Sequence, residues 1–392
     1  MKKMLMVASV TSMIGQFNMS NIELLQSMGY EVQVACNFEN QSVWTDENRI
    51  MFQDILKQQG IQSHQICFSR WIGNIKDHCK AFRQLLNLLR TEKFDFIHCH
   101  TPICGILSRL AAFITKTKVI YTAHGFHFYH GAPLRNWLLY FPFEWLCSWM
   151  TDVLITINKE DYKFARSHMH AKKVRYVPGT GIDLIKFSHL DVDKEEFRRR
   201  LGIPAKAKII LSVGELNKNK NHAVIIRALS ELKDANLYYI ICGQGKWKNY
   251  LENLAGRLGV SKQVKLLGFK NHINEICSAS DLFVFPSYRE GLPVALLEAM
   301  ANGLPCIVSD IRGNRDLIHN GKNGFLVAPG NSSEFAIAIT NIMSSISLQK
   351  HMIEESKKII VKFSLDEIEK QMKEIYYSLD NDNGEKPAKN SL

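Results

Sequence analysis

Two carboxylates, Glu290 and Glu298, bracket the turn Gly291-Leu292-Pro293, which follows the apolar run Leu282–Phe285 and enters a helix pattern over Ala295–Ala301. Backbone N–H groups at a helix N-terminus seat phosphate, and carboxylates beside them accept hydrogen bonds from sugar hydroxyls. The blander reading makes Glu290 a helix cap and Glu298 a solvated side chain. A second loop, Ser212-Val213-Gly214-Glu215-Leu216-Asn217-Lys218-Asn219-Lys220-Asn221-His222, also joins a strand pattern to a helix and offers Lys218 and Lys220 to phosphate, or simply a solvated basic loop. His98, His100, His124 and His127 stand at the ends of two strand patterns, but no carboxylate joins them at ligand spacing, so no metal site is expected. A core histidine remains the alternative for His98.

Other stretches carry weaker signals. In Cys242-Gly243-Gln244-Gly245-Lys246-Trp247-Lys248, Lys248 replaces the third glycine of a dinucleotide fingerprint and no acid follows at ribose distance, which argues against a nicotinamide site. Gly15 is expected in a loop after the first strand, where a missing Cβ would let the backbone approach a diphosphate. The segment Asn136–Leu146 is rich in aromatic residues and suits either a membrane interface, a lipid-linked acceptor or core packing. Arg135, Lys163, Arg166, Lys172, Lys173 and Arg175 add positive charge to the same half of the chain, for anionic phospholipid, an isoprenoid diphosphate or solvent.

These groups need a scaffold, and the chain is long enough for two. Its 392 residues, 46% hydrophobic and 22% charged, suit two soluble lobes with separate cores. The nine cysteines are scattered without a CxxC pair, which fits a reducing cytosol better than a disulfide framework. The opening MKKMLMVASV gives way to Thr11, Ser12 and Gly15 too soon for a signal peptide and reads as a buried first strand. With no apolar run of about 18 residues, the expectation is a cytoplasmic protein, soluble or peripheral on the inner membrane face. A net charge of +11 points to an anionic partner; a basic surface with no recognised module argues against nucleic acid.

Short strand patterns alternate with helices at Met4–Ser9, Glu31–Cys36, Phe94–His98, Lys118–Ala123, Val153–Ile157 and Val174–Val177. The alternation restarts at Lys208–Val213, Asn236–Cys242, Gln263–Leu267, Leu282–Phe285, Pro305–Val308 and Gly324–Val327. The fold class expected is α/β, two Rossmann-like lobes whose parallel sheets face a cleft. Residues 1–190 would form the first lobe and 200–360 the second, with a helix over 361–379 returning to the first lobe and a disordered tail over 380–392.

The stretch Tyr288–Glu298 resembles the E-x7-E motif of retaining glycosyltransferases of family 4. The resemblance continues through Asn302–Val308 and Gly321–Val327, with similar segments in the amino-terminal half. It implies the GT-B architecture and sugar transfer from a nucleotide diphosphate, with UDP as the nucleotide guess, independently of metal or other cofactor. Under it, Glu290 and His124 face the donor sugar, Glu298 holds the ribose, and Lys220, Lys218, Gly15, Gly214, Gly291 and Leu292 surround the diphosphate. Where the family places an arginine after the loop glycine, this chain has Glu215. Thr122–Phe128 and Ser309–Asp316 look like the bacterial capsule and exopolysaccharide branch, implying a saccharide or lipid-linked saccharide acceptor. Two other functions fit the same residues: a non-catalytic nucleotide-sugar-binding partner and a UDP-sugar epimerase.

Overall fold

The computed structural model describes residues 2–39, 44–69 and 75–380. The chain divides into two compact units, Met1–Thr180 with Ile368–Leu392, and Gly181–Glu367. The expected disorder over 380–392 lies, past the last helical residue, outside the described residues.

The first unit is built on seven strands: β1 Lys2–Val7, β2 Tyr30–Cys36, β3 Gln62–Gln65, β4 Phe96–His100, β5 Lys118–Ala123, β6 Val153–Thr156 and β7 Lys173–Tyr176. All pair in parallel, in the order β3-β2-β1-β4-β5-β6-β7. Successive strand side chains point to opposite faces. Accordingly, Met4 and Met6 of β1 enter one core with Ile22, Leu25 and Val34, while Leu5 and Val7 enter the other with Leu85, Ala111 and Ile97. Strand β3 escapes the sequence patterns because its residues, Gln-Ser-His-Gln, sit at the sheet edge with little burial. The helix Leu365–Asp380 contributes Ile368, Met372, Ile375, Tyr376 and Leu379 to the Met4 core, at the i, i+3, i+4 and i+7 spacing of one helical face.

The second unit has six parallel strands, β8 Lys208–Val213, β9 Leu237–Cys242, β10 Val264–Gly268, β11 Leu282–Phe285, β12 Cys306–Ser309 and β13 Gly324–Val327, in the order β10-β9-β8-β11-β12-β13. Its beginning lies earlier than residue 200. Ile182 bridges Ser364, Leu190 donates its N–H to Ser278 Oγ, and the Lys186 carbonyl accepts from Asn274, so 181–190 is bound to this unit. The charged stretch after it forms the helix Lys194–Arg200, capped by Asp193, whose carboxylate accepts from the N–H groups of Glu195 and Glu196. Arg198, buried, anchors that helix on Asp281 at 3.0 Å and on the Ala207 carbonyl at 2.8 Å.

Candidate active site

In an open parallel sheet, ligands bind beyond the carboxyl ends of the strands where the order reverses. In the second unit that point lies between β8 and β11, and the loops leaving these two strands are 214–221 and 286–293. The loops are laced together. Tyr288 N–H donates to the Asn219 carbonyl at 2.8 Å, Asn219 Nδ2 donates to the Arg289 carbonyl at 3.0 Å, and Asn221 Nδ2 donates to the Pro286 carbonyl at 3.2 Å. Across them, Lys220 Nζ donates to Glu290 Oε1 at 2.8 Å, with 22% and 13% of the two side chains exposed.

Glu290 is therefore the lysine's partner and not a helix cap; Pro293 holds the cap position of the helix Val294–Ala301 and makes no side-chain cap bond. The Lys220 ammonium also lies 4.7 Å from the centroid of the Phe285 ring, an added source of attraction for the cation. Gly214 makes room for the lysine stem, since a Cβ there would stand 3.1 Å from Lys220 Cδ. The loop is backed by a buried chain in which His222 Nδ1 meets the Tyr239 hydroxyl at 3.2 Å, that hydroxyl donates to Ser212 Oγ at 2.9 Å, and Ser212 donates to the Val284 carbonyl at 2.7 Å. Lys218 and Glu215 are exposed on the same loop.

Gly291 and Leu292 form the turn into the second helix. Gly313, at φ 77°, packs on the Gly291 carbonyl so closely that any Cβ would collide with it. Ser287 Oγ, Ser309 Oγ and Asn314 Oδ1, at the carboxyl ends of β11 and β12 and just beyond, are buried with no hydrogen-bond partner among the described residues. Ser287 and Ser309 were not legible in sequence because a serine at a strand end has no distinguishing pattern. Glu298 is half-buried on the helix, and its carboxyl is pushed up to about 7 by burial, against a smaller opposing pull from the Lys186 cation.

In the first unit the sheet order reverses between β1 and β4. Ser9 and Thr101, which follow those strands, share a hydrogen bond of 2.6 Å, and Thr101 holds φ at 68°, a left-handed value uncommon for a β-branched residue. Beside this point the histidines form a connected set. His98 is a core histidine, bonded through Nδ1 to the Tyr376 hydroxyl at 3.0 Å and through Nε2 to Thr122 Oγ1 at 2.8 Å. His100 Nδ1 meets His124 Nε2 at 3.0 Å, and His100 Nε2 meets Met6 Sδ at 3.2 Å.

Burial, with a further contribution from the neighbouring His124, lowers His98 to about 3; burial lowers His124 to about 4. All three rings are thus neutral at pH 7. The thioether has no proton to give, so His100 carries its proton on Nε2 and accepts at Nδ1 from His124 Nε2–H. That leaves His124 Nδ1 as an acceptor. A small cavity is lined by His98, His100, Thr122 and His124 with Asn18 and Asn21. His127 is directed elsewhere, stacked on Tyr140 at 4.4 Å.

Gly15 is not in a loop after the first strand. It lies inside the helix Thr11–Phe17, and a Cβ on it would strike the Trp44 ring and stand 3.1 Å from Phe52. Any side chain at this position would crowd two aromatic rings, which by itself favours glycine there.

Two parallel α/β units, each with polar and titratable groups gathered where its strand order reverses, are the parts of a GT-B architecture. The profile described as "Glycosyl transferases group 1" matches residues 193–359, and that of "Glycosyltransferase Family 4" matches 18–185. The chain is 34% identical to a Bacillus subtilis protein designated as a glycosyltransferase, EpsD, over 98% of this chain and 99% of that one. It is 32% identical to the UDP-Gal:alpha-D-GlcNAc-diphosphoundecaprenol alpha-1,3-galactosyltransferase of Escherichia coli over 79% of this chain and 82% of that one. Among solved structures, Anabaena HepE in complex with UDP and glucose superposes with a TM-score of 0.79, at 19% identity, over 96% of this chain and 100% of that one. The chain belongs to glycosyltransferase family 4.

Proposed function

We propose that this glycosyltransferase moves a sugar from UDP to a lipid-linked polysaccharide precursor, retaining the anomeric configuration and using no metal ion. The carrying observation is the Lys220–Glu290 pair, a cation and a carboxylate held 2.8 Å apart at the strand-order reversal. The names of the Escherichia coli relative and of the UDP-bound Anabaena structure support the choice of donor and acceptor class.

In this reaction the bond from the anomeric carbon to the diphosphate oxygen breaks, and UDP departs with the electron pair. Lys220 and the turn amides near Gly291 hold the departing charge, with Lys218 nearby on the loop. Gly214 and Leu292 shape the diphosphate seat. Glu290 accepts from the donor sugar's hydroxyls, and in the first unit His124 offers its unprotonated Nδ1 as an acceptor. The Glu298 carboxylate accepts from the ribose hydroxyls. The acceptor hydroxyl attacks from the face that UDP leaves, and its proton passes to a UDP phosphate oxygen.

Glu215, exposed where the family carries an arginine, favours a second reading, a protein that binds nucleotide sugar without turning it over. Calorimetry with UDP, with and without EDTA, followed by a transfer assay on a lipid-linked saccharide, separates the two. Micromolar binding that ignores EDTA, lost in Lys220→Ala and Glu298→Ala, supports the proposal when product forms. Binding without product supports the second reading, and conversion of donor without acceptor would make the chain an epimerase.

A further inference from the structure

The helix Leu134–Ser148 is apolar on its outer side. Leu134, Leu138, Leu139, Phe143 and Leu146 are exposed, as is Trp149 just past its end, while the one carboxylate of the helix, Glu144, is turned inward and buried. Glu144 Oε2 accepts from Arg109 at 2.8 Å and Oε1 from the Tyr121 hydroxyl at 3.0 Å; Arg109 donates as well to the Gly105 carbonyl and lies 4.1 Å over the Tyr121 ring. A buried pair of this kind locks the helix in rotation, so it cannot roll its leucines into the core without stranding two charges. Soluble helices place their polar stripe outward; this one is apolar on both sides, with Trp137, Tyr140 and Phe141 packed inward and the leucines outward.

The fully exposed charges on this helix and the helices beside it are cations, while Glu160 is half-buried. Arg135 is the only charged residue exposed on the helix itself. The preceding helix, Pro102–Thr115, adds exposed Phe113 and Ile114 and is followed by exposed Lys116. The next helix, Lys159–His168, packs alongside through Phe164, which meets Trp137 and Phe141 at 5.7 and 5.9 Å, and exposes Lys163 and Arg166. At the far end, Trp145 and Trp149 cluster on His170, amphipathic rings of the type that sit at headgroup level.

No helix among the described residues is long and apolar enough to cross a membrane. We infer that this face is a monotopic anchor that lies in the surface of an anionic phospholipid bilayer, with Leu138, Leu139, Phe143 and Leu146 among the acyl chains and the flanking cations at the phosphates. A second copy of the chain would also cover leucines, but a two-fold contact would bring Arg135 and its neighbouring cations against their own copies. The surface stands on its own geometry and does not rest on the choice of donor or acceptor.

The test is co-sedimentation of the full chain with vesicles of phosphatidylcholine alone or mixed equally with phosphatidylglycerol, for wild type, Leu138→Glu/Phe143→Glu and Arg135→Glu. Wild type should sediment with the mixed vesicles and far less with the neutral ones. The double variant should lose about tenfold or more in partitioning, and Arg135→Glu a few-fold. Tryptophan fluorescence should shift to the blue on mixed vesicles in wild type, with thermal unfolding and UDP binding of the double variant unchanged. Equal sedimentation of wild type and double variant would overturn the inference. So would a wild-type dimer, dissociated by the double variant in sedimentation velocity, that ignores vesicles.

Discussion

Lys220 and Glu290 are separated by 70 residues and joined by a 2.8 Å ion pair at the carboxyl ends of two neighbouring strands. The pair satisfies both side chains. Under the proposed function each half has a different use: a diphosphate competes for the ammonium, and its binding releases Glu290 to accept from sugar hydroxyls.

Removing the two halves should therefore have unequal effects. Lys220→Ala leaves Glu290 unpartnered and should weaken UDP by about 1.5–3 kcal/mol. Glu290→Gln frees the ammonium, so UDP should bind at least as tightly, while turnover with a sugar donor falls by roughly a hundredfold. Calorimetry and a transfer assay on both variants check this; loss of UDP affinity in Glu290→Gln would contradict it.

Glu298 makes stability depend on pH. A carboxyl near 7 in the folded chain and in the ordinary range when unfolded binds more protons folded, so its contribution is favourable below the unfolded value and is lost as pH rises toward 7. Glu298→Gln should be more stable than wild type at pH 8 by about 1–3 kcal/mol, with the difference closing near pH 4. Denaturant titrations at the two pH values measure it. UDP affinity of the wild type should rise with pH through 7, as the carboxylate acceptor forms.

The correction at Gly15 has its own test. Gly15→Ala should cost about 1–3 kcal/mol of stability through crowding against Trp44 and Phe52. Its UDP affinity should stay within roughly twofold of wild type, as for sites that share no partners. Thermal melts with calorimetry decide; weakened UDP without a lower melting temperature would restore the diphosphate role.

Glu215 stands exposed, so Glu215→Arg carries little structural cost. It removes a like charge from the diphosphate and adds a donor, and should tighten UDP by about 0.5–1.5 kcal/mol. An unchanged affinity would place the diphosphate away from this end of the loop.

At the Glu144 ion pair, Arg109→Met should destabilise by about 3–5 kcal/mol by stranding a buried carboxylate. Arg109→Met with Glu144→Leu should recover most of that loss in denaturant titrations. A double variant no more stable than the single one would mean that the pair is worth more than the burial of its replacements.

Much was settled locally. Strands such as Lys118–Ala123, Lys208–Val213, Leu282–Phe285 and Gly324–Val327 were legible at their observed bounds, because an apolar run between turn residues is a short-range property. The loops bearing Lys220 and Glu290 were legible for the same reason, as each directly follows its strand. What the chain could not show locally is which strands become neighbours. That β8 lies beside β11 is a choice of sheet order made by the whole core, and it alone turns two separate loops into one ion pair. The same holds for Tyr376, 278 residues from the His98 it bonds, and for Gly15, whose missing Cβ answers to two rings from other segments. The helix Leu134–Ser148 shows the limit most clearly. Its composition suited core and membrane equally, and only the burial of Glu144 against Arg109 decided which side would face out, because a side chain's exposure depends on what the rest of the fold places against it.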